Sequence, residues 1–500
     1  MAQTAWSLLP PIITIVLALL TKEVYMSLLV GIFSGALLFT NFNLLTAVFT
    51  MFDVMSNKIG GNVNILIFLV ILGILVAAIT RSGATRAYGE WAAKNVKSRR
   101  GAMLLTAILG AVIFIDDYFN CLTVGTVMRP ITDKLKVSRA KLAYIIDATA
   151  APVCIMAPVS SWAAAVGSSL PEGSKIDGFA LFLQTIPINL YAILTMVFML
   201  FVIISQRDVF SMATYVKKNQ ENFSVPDDYR DSEEKPPVGN GRVIDLILPL
   251  VVLIAACIYG MLYTGGIHEG KTIAAAFADC DSSKGLVFGS FTAFVFTALL
   301  YLPRKIISFA DFCSTFVQGF KAMTPANLIL CFAWSLSGIC SDKYLNIGGF
   351  VGKLVSENTG VVVFLPVIFF LVAIGLAFAT GTSWGTFGIL IPIAIAVVGV
   401  NDTNLLTICV AAVLSGAVGG DHASPISDTT ILASAGAQCD HLDHVSTQIP
   451  YVVIVSVACL AGYLVDGVTK NGFAGLAAGL AVLGVVMSYI YIKVPAVEEK

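Results

Sequence analysis

Five aspartates lie in apolar surroundings: Asp116 and Asp117 in "FIDDYFN", Asp147 in "YIIDATAAPV", and Asp421 and Asp428 in "GAVGGDHASPISDTT". An ionisable side chain inside a bilayer costs at least ~2.5–3.5 kcal/mol, so such residues mark paths for ions or protons. No lysine or arginine lies in reach of all five. A carboxylate in that setting can take up either a proton or a hard cation, and competition between the two gives exchange. Asp147 and Asp421 are the expected proton- and sodium-linked pair, forming a sodium site, with Asp117 next in line. Asp116 and Asp428 stand beside helix breaks, where end-capping explains them as readily. His422 adjoins Asp421 and is placed to alter that aspartate's proton affinity.

Neutral oxygens accompany the carboxylates. Asn120, Thr123, Thr149, Ser160 and Ser161 belong to the first half of the chain, and Thr382, Ser383, Thr386, Ser424, Ser427 and Thr429 to the second. Such groups suit a hard cation or a small organic solute. Back-bonding to helix carbonyls is the competing use and accounts for about half of them. The run "CDHLDH" (439–444) has an Asp-x-x-His spacing that would fit a transition metal or a pH-responsive gate; a plain cytoplasmic loop is the expectation. Hydrolysis by Asp116 and Asp117 is not expected, because adjacent side chains diverge and a catalytic dyad must converge. There is no Walker-type phosphate loop, so Na⁺ and H⁺, as transported or coupling ions, are the only cofactors foreseen.

The elements that position these residues follow from composition. Of 500 residues, 57% are hydrophobic and only 12% charged, a balance that suits a polytopic membrane protein and not a soluble one. Apolar runs at Asn64–Ile79, Phe182–Ile204, Leu246–Leu262, Val361–Ala379 and Val452–Leu464 fit helices crossing a ~30 Å hydrocarbon core. A net charge of −1 gives no reason to expect nucleic acid. The N-terminus lacks a basic region and a small-residue cleavage site, so it is expected to be the first helix and not a leader. Ten scattered cysteines show no disulfide framework and are expected as small core residues.

Charge then sets topology. Basic clusters at 81–100 and 129–141, and the hydrophilic linker 205–242, all read as cytoplasmic. The one apolar segment joining the first two clusters cannot be a full crossing without placing one of them outside. It is therefore expected as a re-entrant hairpin, 101–131, turning at "DDYFN"; backbone of that kind survives at depth only when buried in protein or lining a cavity. Helices near 8–20, 23–40 and 62–80, a broken helix over 139–165, and 180–204 complete a first repeat (1–204). Five crossings invert the second repeat (243–468), with hairpin 361–400 turning at "TGTSWGT", broken helix 404–434, and a crossing near 324–340. Residues 469–500 add a terminal helix and tail. "FNCLTVGTVMRP" (119–130) echoes "GTSWGTFGILIP" (381–392), and "APVSSWAA" (157–164) echoes "SPISDTTI" (424–431). The fold class expected is an all-α polytopic membrane protein, an inverted-repeat secondary transporter with two re-entrant hairpins and broken transmembrane helices. Paired interruptions of this sort point to a midplane site.

The stretch 416–451, with "FIDDYFN", the Asp147 segment and "FATGTSWGTFGILIPI", resembles the NhaC family of sodium/proton antiporters. The resemblance implies paired hairpins, a midplane site, elevator-like movement of that unit and a homodimer in the bacterial inner membrane. The expected function is Na⁺/H⁺ antiport by alternating access. The alternative is a Na⁺- or H⁺-coupled carrier of a small organic acid or amino acid, since relatives of the family include both; a channel lined by the two interrupted repeats is a third reading.

Overall fold

The computed structural model describes residues 2–21, 23–168, 178–221, 239–341, 343–347, 350, 362–399 and 402–496. Among these there is no β-strand, and seven helices are long and apolar enough to cross a membrane, or nine when each bent pair is taken as one span. The protein is a multi-pass helical membrane protein.

Two hairpins of short helices sit at its heart. The first joins Arg99–Val112 to Asp117–Lys134, and the second joins Leu365–Thr380 to Ser383–Val398. The arms of the second have 16 residues each, about 24 Å at the α-helical rise and short of the ~20 residues a spanning helix needs. That shortness is what a re-entrant element requires. Each turn is made by a capped helix start. Asp116 accepts from Phe119 N–H at 3.0 Å, and Thr382 accepts from Gly385 N–H at 3.3 Å. Gly381 precedes Thr382 with φ 69°, a left-handed conformation that only glycine adopts freely.

A broken helix follows each hairpin. The first runs as Arg139–Thr149, Ala151–Met156 and Ser161–Gly167, bending by 47° at its second break. The second runs as Thr403–Ala423 and Asp428–Ala437. The restart residues match: Ser160 accepts from Ala163 N–H and Ser427 from Thr430 N–H, both at 3.2 Å. The two hairpin caps lie 266 positions apart and the two break caps 267; the break echo (157 with 424) has the separation of its caps, whereas the hairpin echo (119 with 381) is offset from its caps by four residues. In each half the hairpin tip is seated on the break that follows it. Ser161 N–H donates to Ile115 carbonyl at 2.9 Å, and Ser424 hydroxyl to Phe378 carbonyl at 2.7 Å.

The halves interlock. Asp117–Lys134 packs on Asp428–Ala437, where a Cβ on Gly125 would lie 2.4 Å from the backbone of Gly436. Arg129 and Arg139 donate to the carbonyls of Gly436 and Gln438, at 3.2 and 3.0 Å. The helix His441–Thr469 closes over this core and packs on the second broken helix and on Leu190–Ser205. Around the core, Val24–Phe39, Leu44–Gly61, Val63–Arg81, Val243–Thr264, Ser282–Tyr301 and Phe309–Cys340 pack mainly on one another.

Several expectations change. "CDHLDH" is no loop: it starts the closing helix, capped by Asp440, which accepts from Asp443 N–H at 3.0 Å. The basic cluster 129–141 is only partly a surface loop, since Arg139 pairs with Asp133 at 2.9 Å and Lys141 is buried against Asp208. Leu44–Gly61, whose polar residues hide it from a hydropathy reading, is a full helix. The crossing near 324–340 and the amphipathic stretch before it form one 32-residue helix, Phe309–Cys340, with Pro325 inside. Part of the linker, Phe210–Glu221, is helical and tied to the closing helix by Ser211 hydroxyl donating to Ser446 carbonyl at 2.8 Å; residues 222–238 lie outside the described residues, as does the start of the 361–400 hairpin at 361.

Gly125→Ala places a methyl against immovable backbone and is expected to destabilise the purified protein by ~1–3 kcal/mol. Gly484→Ala, with open space around its Cβ, is the control. A thermal melt in detergent checks both, and equal melting temperatures would mean that the two halves are not in contact there.

Candidate functional site

Breaking a helix frees amide donors and carbonyl acceptors and allows a polar side chain to be buried beside them. Two clusters result, on either side of the Asp421–His422 peptide.

In the first, Asp421 ends the long segment of the second broken helix and is buried. Its Oδ2 accepts from Ser383 hydroxyl at 2.9 Å and from Thr429 hydroxyl at 3.0 Å. Ser383 comes from the start of a hairpin arm, and Thr429 from beyond the break, so three separate chain segments meet on one carboxylate. Ser427 hydroxyl lies 3.2 Å from Thr429 Oγ1 and buttresses it. Asp117 lies close enough for its charge and that of Asp421 to interact, and the Trp162 indole lies beside its carboxylate. Asp116, Asp117, Asp147 and Asp421 all lie near enough to the buried Cys121 thiol to act on it electrostatically.

In the second cluster, Asp147 sits two residues before the first break with its side chain fully buried. Its Oδ2 accepts from Gln448 Nε2 at 2.6 Å and lies 3.6 Å from His444 Nε2, while Oδ1 lies 3.9 Å from His422 Nε2. Gln448 Nε2 also donates to the His422 carbonyl at 2.9 Å, and His422 Nδ1 meets Tyr191 hydroxyl at 3.2 Å. Two imidazoles around one carboxylate form a set of groups able to hold and pass a proton.

The structure sorts the remaining predicted residues. Asp116, Ser160, Thr382 and Ser427 are helix caps, and Ser160 hydroxyl also donates to Cys154 carbonyl at 2.7 Å. Thr149 back-bonds to Ile145 carbonyl at 2.8 Å. Ser424 ties the break to the hairpin. Asn120 is a stitch: its Nδ2 donates to the carbonyls of Gly110, Ile113 and Thr149 at 2.7, 2.9 and 3.1 Å, leaving Oδ1 without a partner among the described residues. Thr386 has a buried hydroxyl without a hydrogen-bond partner among those residues, the buried Ser161 hydroxyl lies beside the Asp116 carboxylate, and Thr123 is buried on the hairpin arm. Asp428 begins its helix, and its side chain lies outside the described residues. Asp421 takes hydrogen bonds from Ser383 and Thr429, and Asp147 takes one from Gln448.

Gln448 is a functional candidate that the sequence reading does not select, and His444 is one that it sets aside as part of a loop. They fall one helical turn apart, on the buried face of a helix whose polar start looks like a loop. No group of three or more His, Cys, Asp or Glu side chains is placed to hold a metal ion among the described residues. His441 instead joins the break to its own helix, Nε2 lying 2.7 Å from Pro425 carbonyl.

A multi-pass helical protein with a polar core of broken helices and capped hairpins belongs among membrane transporters. The sequence model of the Na⁺/H⁺ antiporter family matches residues 153–468, and the chain belongs to that family; it is a secondary antiporter. It is 41% identical over 494 residues to an uncharacterized protein of Haemophilus influenzae, covering 95% of this chain and 93% of that one. Shorter matches join it to a malate-2H⁺/Na⁺-lactate antiporter of Bacillus subtilis (33% over 181 residues, 34% of this chain and 37% of the other). They also join it to an arginine/ornithine antiporter of Halobacterium salinarum (41% over 107 residues, 21% of each).

Asn120→Ala removes one amide that holds three carbonyls and is expected to destabilise the protein by ~1–3 kcal/mol. Thr149→Val, which deletes only a back-bond, should leave transport unchanged. Melting curves and flux in proteoliposomes on both variants check the division between stitching and back-bonding.

Proposed function

We propose that this antiporter exchanges Na⁺ for H⁺ by alternating access, with the cation at Asp421 and the proton at Asp147. The observation that carries the reading is the cage on Asp421: a buried carboxylate with hydroxyls from a hairpin tip and from beyond a helix break. Hydroxyl and carboxylate oxygens suit Na⁺. Because Ser383 and Thr429 reach Asp421 from different segments, movement of the second hairpin or of the break changes the coordination and couples ion release to conformation. The paired caps and breaks at matching positions support an inverted repeat with its site at the midplane. The setting of this reading is the cytoplasmic membrane, with a homodimer as the working unit.

A second reading follows from the relatives. One is named for malate, lactate, Na⁺ and H⁺, another for arginine and ornithine. Coupled exchange of a small organic solute is therefore the alternative that experiment must separate from cation/proton exchange.

Purified protein in liposomes with an internal pH dye tests both. Na⁺ alone should change internal pH; silence until an organic solute is added would favour the second reading. Asp147→Asn and Asp421→Asn should each abolish coupled flux while still inserting, and Ser383→Ala should raise the Na⁺ concentration needed by ~10-fold, the loss of one charge-assisted hydrogen bond. Wild-type exchange rates in both aspartate variants would sink the assignment.

A further inference from the structure

We propose that His441 is a positioning residue for the cation site: it holds the Pro425 carbonyl and so sets the shape of the break from which Thr429 reaches Asp421. This rests on Asp421 as the cation site and names the residue that keeps its cage in shape.

One helix ends at Ala423 and the next begins at Asp428, so residues 424–427 lie outside any helical ladder. Pro425 has no N–H to give, and both it and Ile426 are exposed. The backbone of such a stretch is fixed by the groups that reach it from outside. On one flank these come from the second hairpin. Ser424 hydroxyl donates to Phe378 carbonyl at 2.7 Å, and a Cβ on Gly381 would lie 2.2 Å from the Ile426 carbonyl, so the hairpin turn abuts the break. From beyond the break, Thr430 hydroxyl donates to Ser424 carbonyl at 3.1 Å. On the other flank stands His441, whose Nε2 lies 2.7 Å from the Pro425 carbonyl.

A reversal of the chain brings His441 there. The helix Asp428–Ala437 stops at Gln438, whose φ of 49° is left-handed, and Asp440 caps the closing helix that begins with His441. The imidazole therefore lies back against the helix the chain has just left, with Nδ1 3.1 Å from Ser434 Oγ. Its two nitrogens do unequal work. A carbonyl oxygen only accepts, so Nε2 carries the hydrogen of the bond to Pro425. A serine hydroxyl has one hydrogen, and Ser434 Oγ also lies 2.8 Å from the Thr430 carbonyl. The contact at Nδ1 is thus shared, and the one at Nε2 is the firm one.

From the Pro425 carbonyl to the cage is a short path. Ser427 ends the break and caps the restarted helix, accepting from Thr430 N–H at 3.2 Å. Its hydroxyl lies 3.2 Å from Thr429 Oγ1, which donates to Asp421 Oδ2 at 3.0 Å. Displacing the Pro425 carbonyl displaces the cap and hence the aim of Thr429. The cage then keeps all its oxygens and loses their arrangement, so cation affinity falls while the moving parts of the carrier are untouched. By this route the closing helix bears on both carboxylates: on Asp147 directly, through Gln448 and His444, and on Asp421 through His441 and the break.

Two substitutions separate the ring nitrogens. A glutamine amide nitrogen stands where Nε2 does, and an asparagine amide nitrogen where Nδ1 does. Purified full-length protein is placed in liposomes, and Na⁺ flux is measured against Na⁺ concentration. His441→Asn should raise the half-maximal Na⁺ concentration ~3–10-fold, the weight of one hydrogen bond, with the maximal rate within ~2-fold of wild type. His441→Gln should restore the wild-type Na⁺ dependence, and Ser434→Ala should shift it by less than ~2-fold. Melting curves in detergent accompany every variant, and His441→Ala takes the place of His441→Asn if that variant does not fold. A histidine that only supports the fold would lower the melting temperature of the asparagine and glutamine variants alike and leave their Na⁺ dependence unchanged. That result overturns the inference, and so does a Na⁺ dependence shifted equally in both. Either outcome leaves the cation site at Asp421 standing. Wild-type protein without saturable Na⁺ flux, or Asp421→Asn with the wild-type Na⁺ dependence, would overturn the cation site itself and this inference with it.

Discussion

A carboxylate buried within a membrane protein has to be given hydrogen-bond donors, and where no cationic side chain is at hand those donors must come from hydroxyls, amides or helix starts. This constraint organises the core. Asp116 draws on the first amides of its own helix, Asp421 on two hydroxyls, and Asp147 on the Gln448 amide. Each solution needs a helix start or a second chain segment beside the carboxylate. The breaks and hairpin tips are therefore the means by which charge is held at depth, and the apolar helices around them supply the lipid-facing wall.

Much of this plan is legible in the sequence, because breaks have a local chemical signature. Ser160 and Ser427 follow a small-Pro-aliphatic pattern and cap helices in the structure, at the separation the echoes indicate. The hairpin tips at Asp116 and at Gly381–Thr382 are readable for the same reason. What escapes the sequence depends on which environment covers a polar helix. Hydropathy tells lipid from water; it does not distinguish water from a polar protein interior. "CDHLDH" therefore reads as a loop although His444 is fully buried against Asp147, and Leu44–Gly61 is hidden by its own polar residues. Arg139 and Lys141 read as surface charges by the same failure, since their partners Asp133 and Asp208 come into place only with the fold.

The neutral oxygens divide along physical lines that no sequence pattern announces. A serine or threonine hydroxyl in a helix has a nearby carbonyl as its default acceptor, and Thr149 takes it. At a cap the same group becomes an acceptor for backbone amides, as in Ser160, Thr382 and Ser427. Only where another segment brings a carboxylate within reach does the hydroxyl turn to it, as Ser383 and Thr429 do. Asn120 combines roles: one amide nitrogen closes three carbonyls of the first hairpin and broken helix, while its oxygen faces no donor among the described residues.

Communication between the two clusters needs little machinery. Asp421 and His422 are neighbours in the chain, and Gln448 Nε2 bridges the His422 carbonyl to the Asp147 carboxylate. Any shift of the break at 424–427 that alters the grip of Thr429 on Asp421 also moves the end of the helix carrying the His422 carbonyl. Gln448 is held on the closing helix, so such a shift pulls one of its two hydrogen bonds against the other. In the exchanger reading, occupancy at Asp421 and protonation at Asp147 are therefore linked through one peptide unit and one side-chain amide. The same helix carries His444, whose Nε2 lies 3.6 Å from Asp147 Oδ2, while His422 lies nearer Oδ1. The closing helix, whose polar start reads as a loop, is thus the one through which the two carboxylates are tied together.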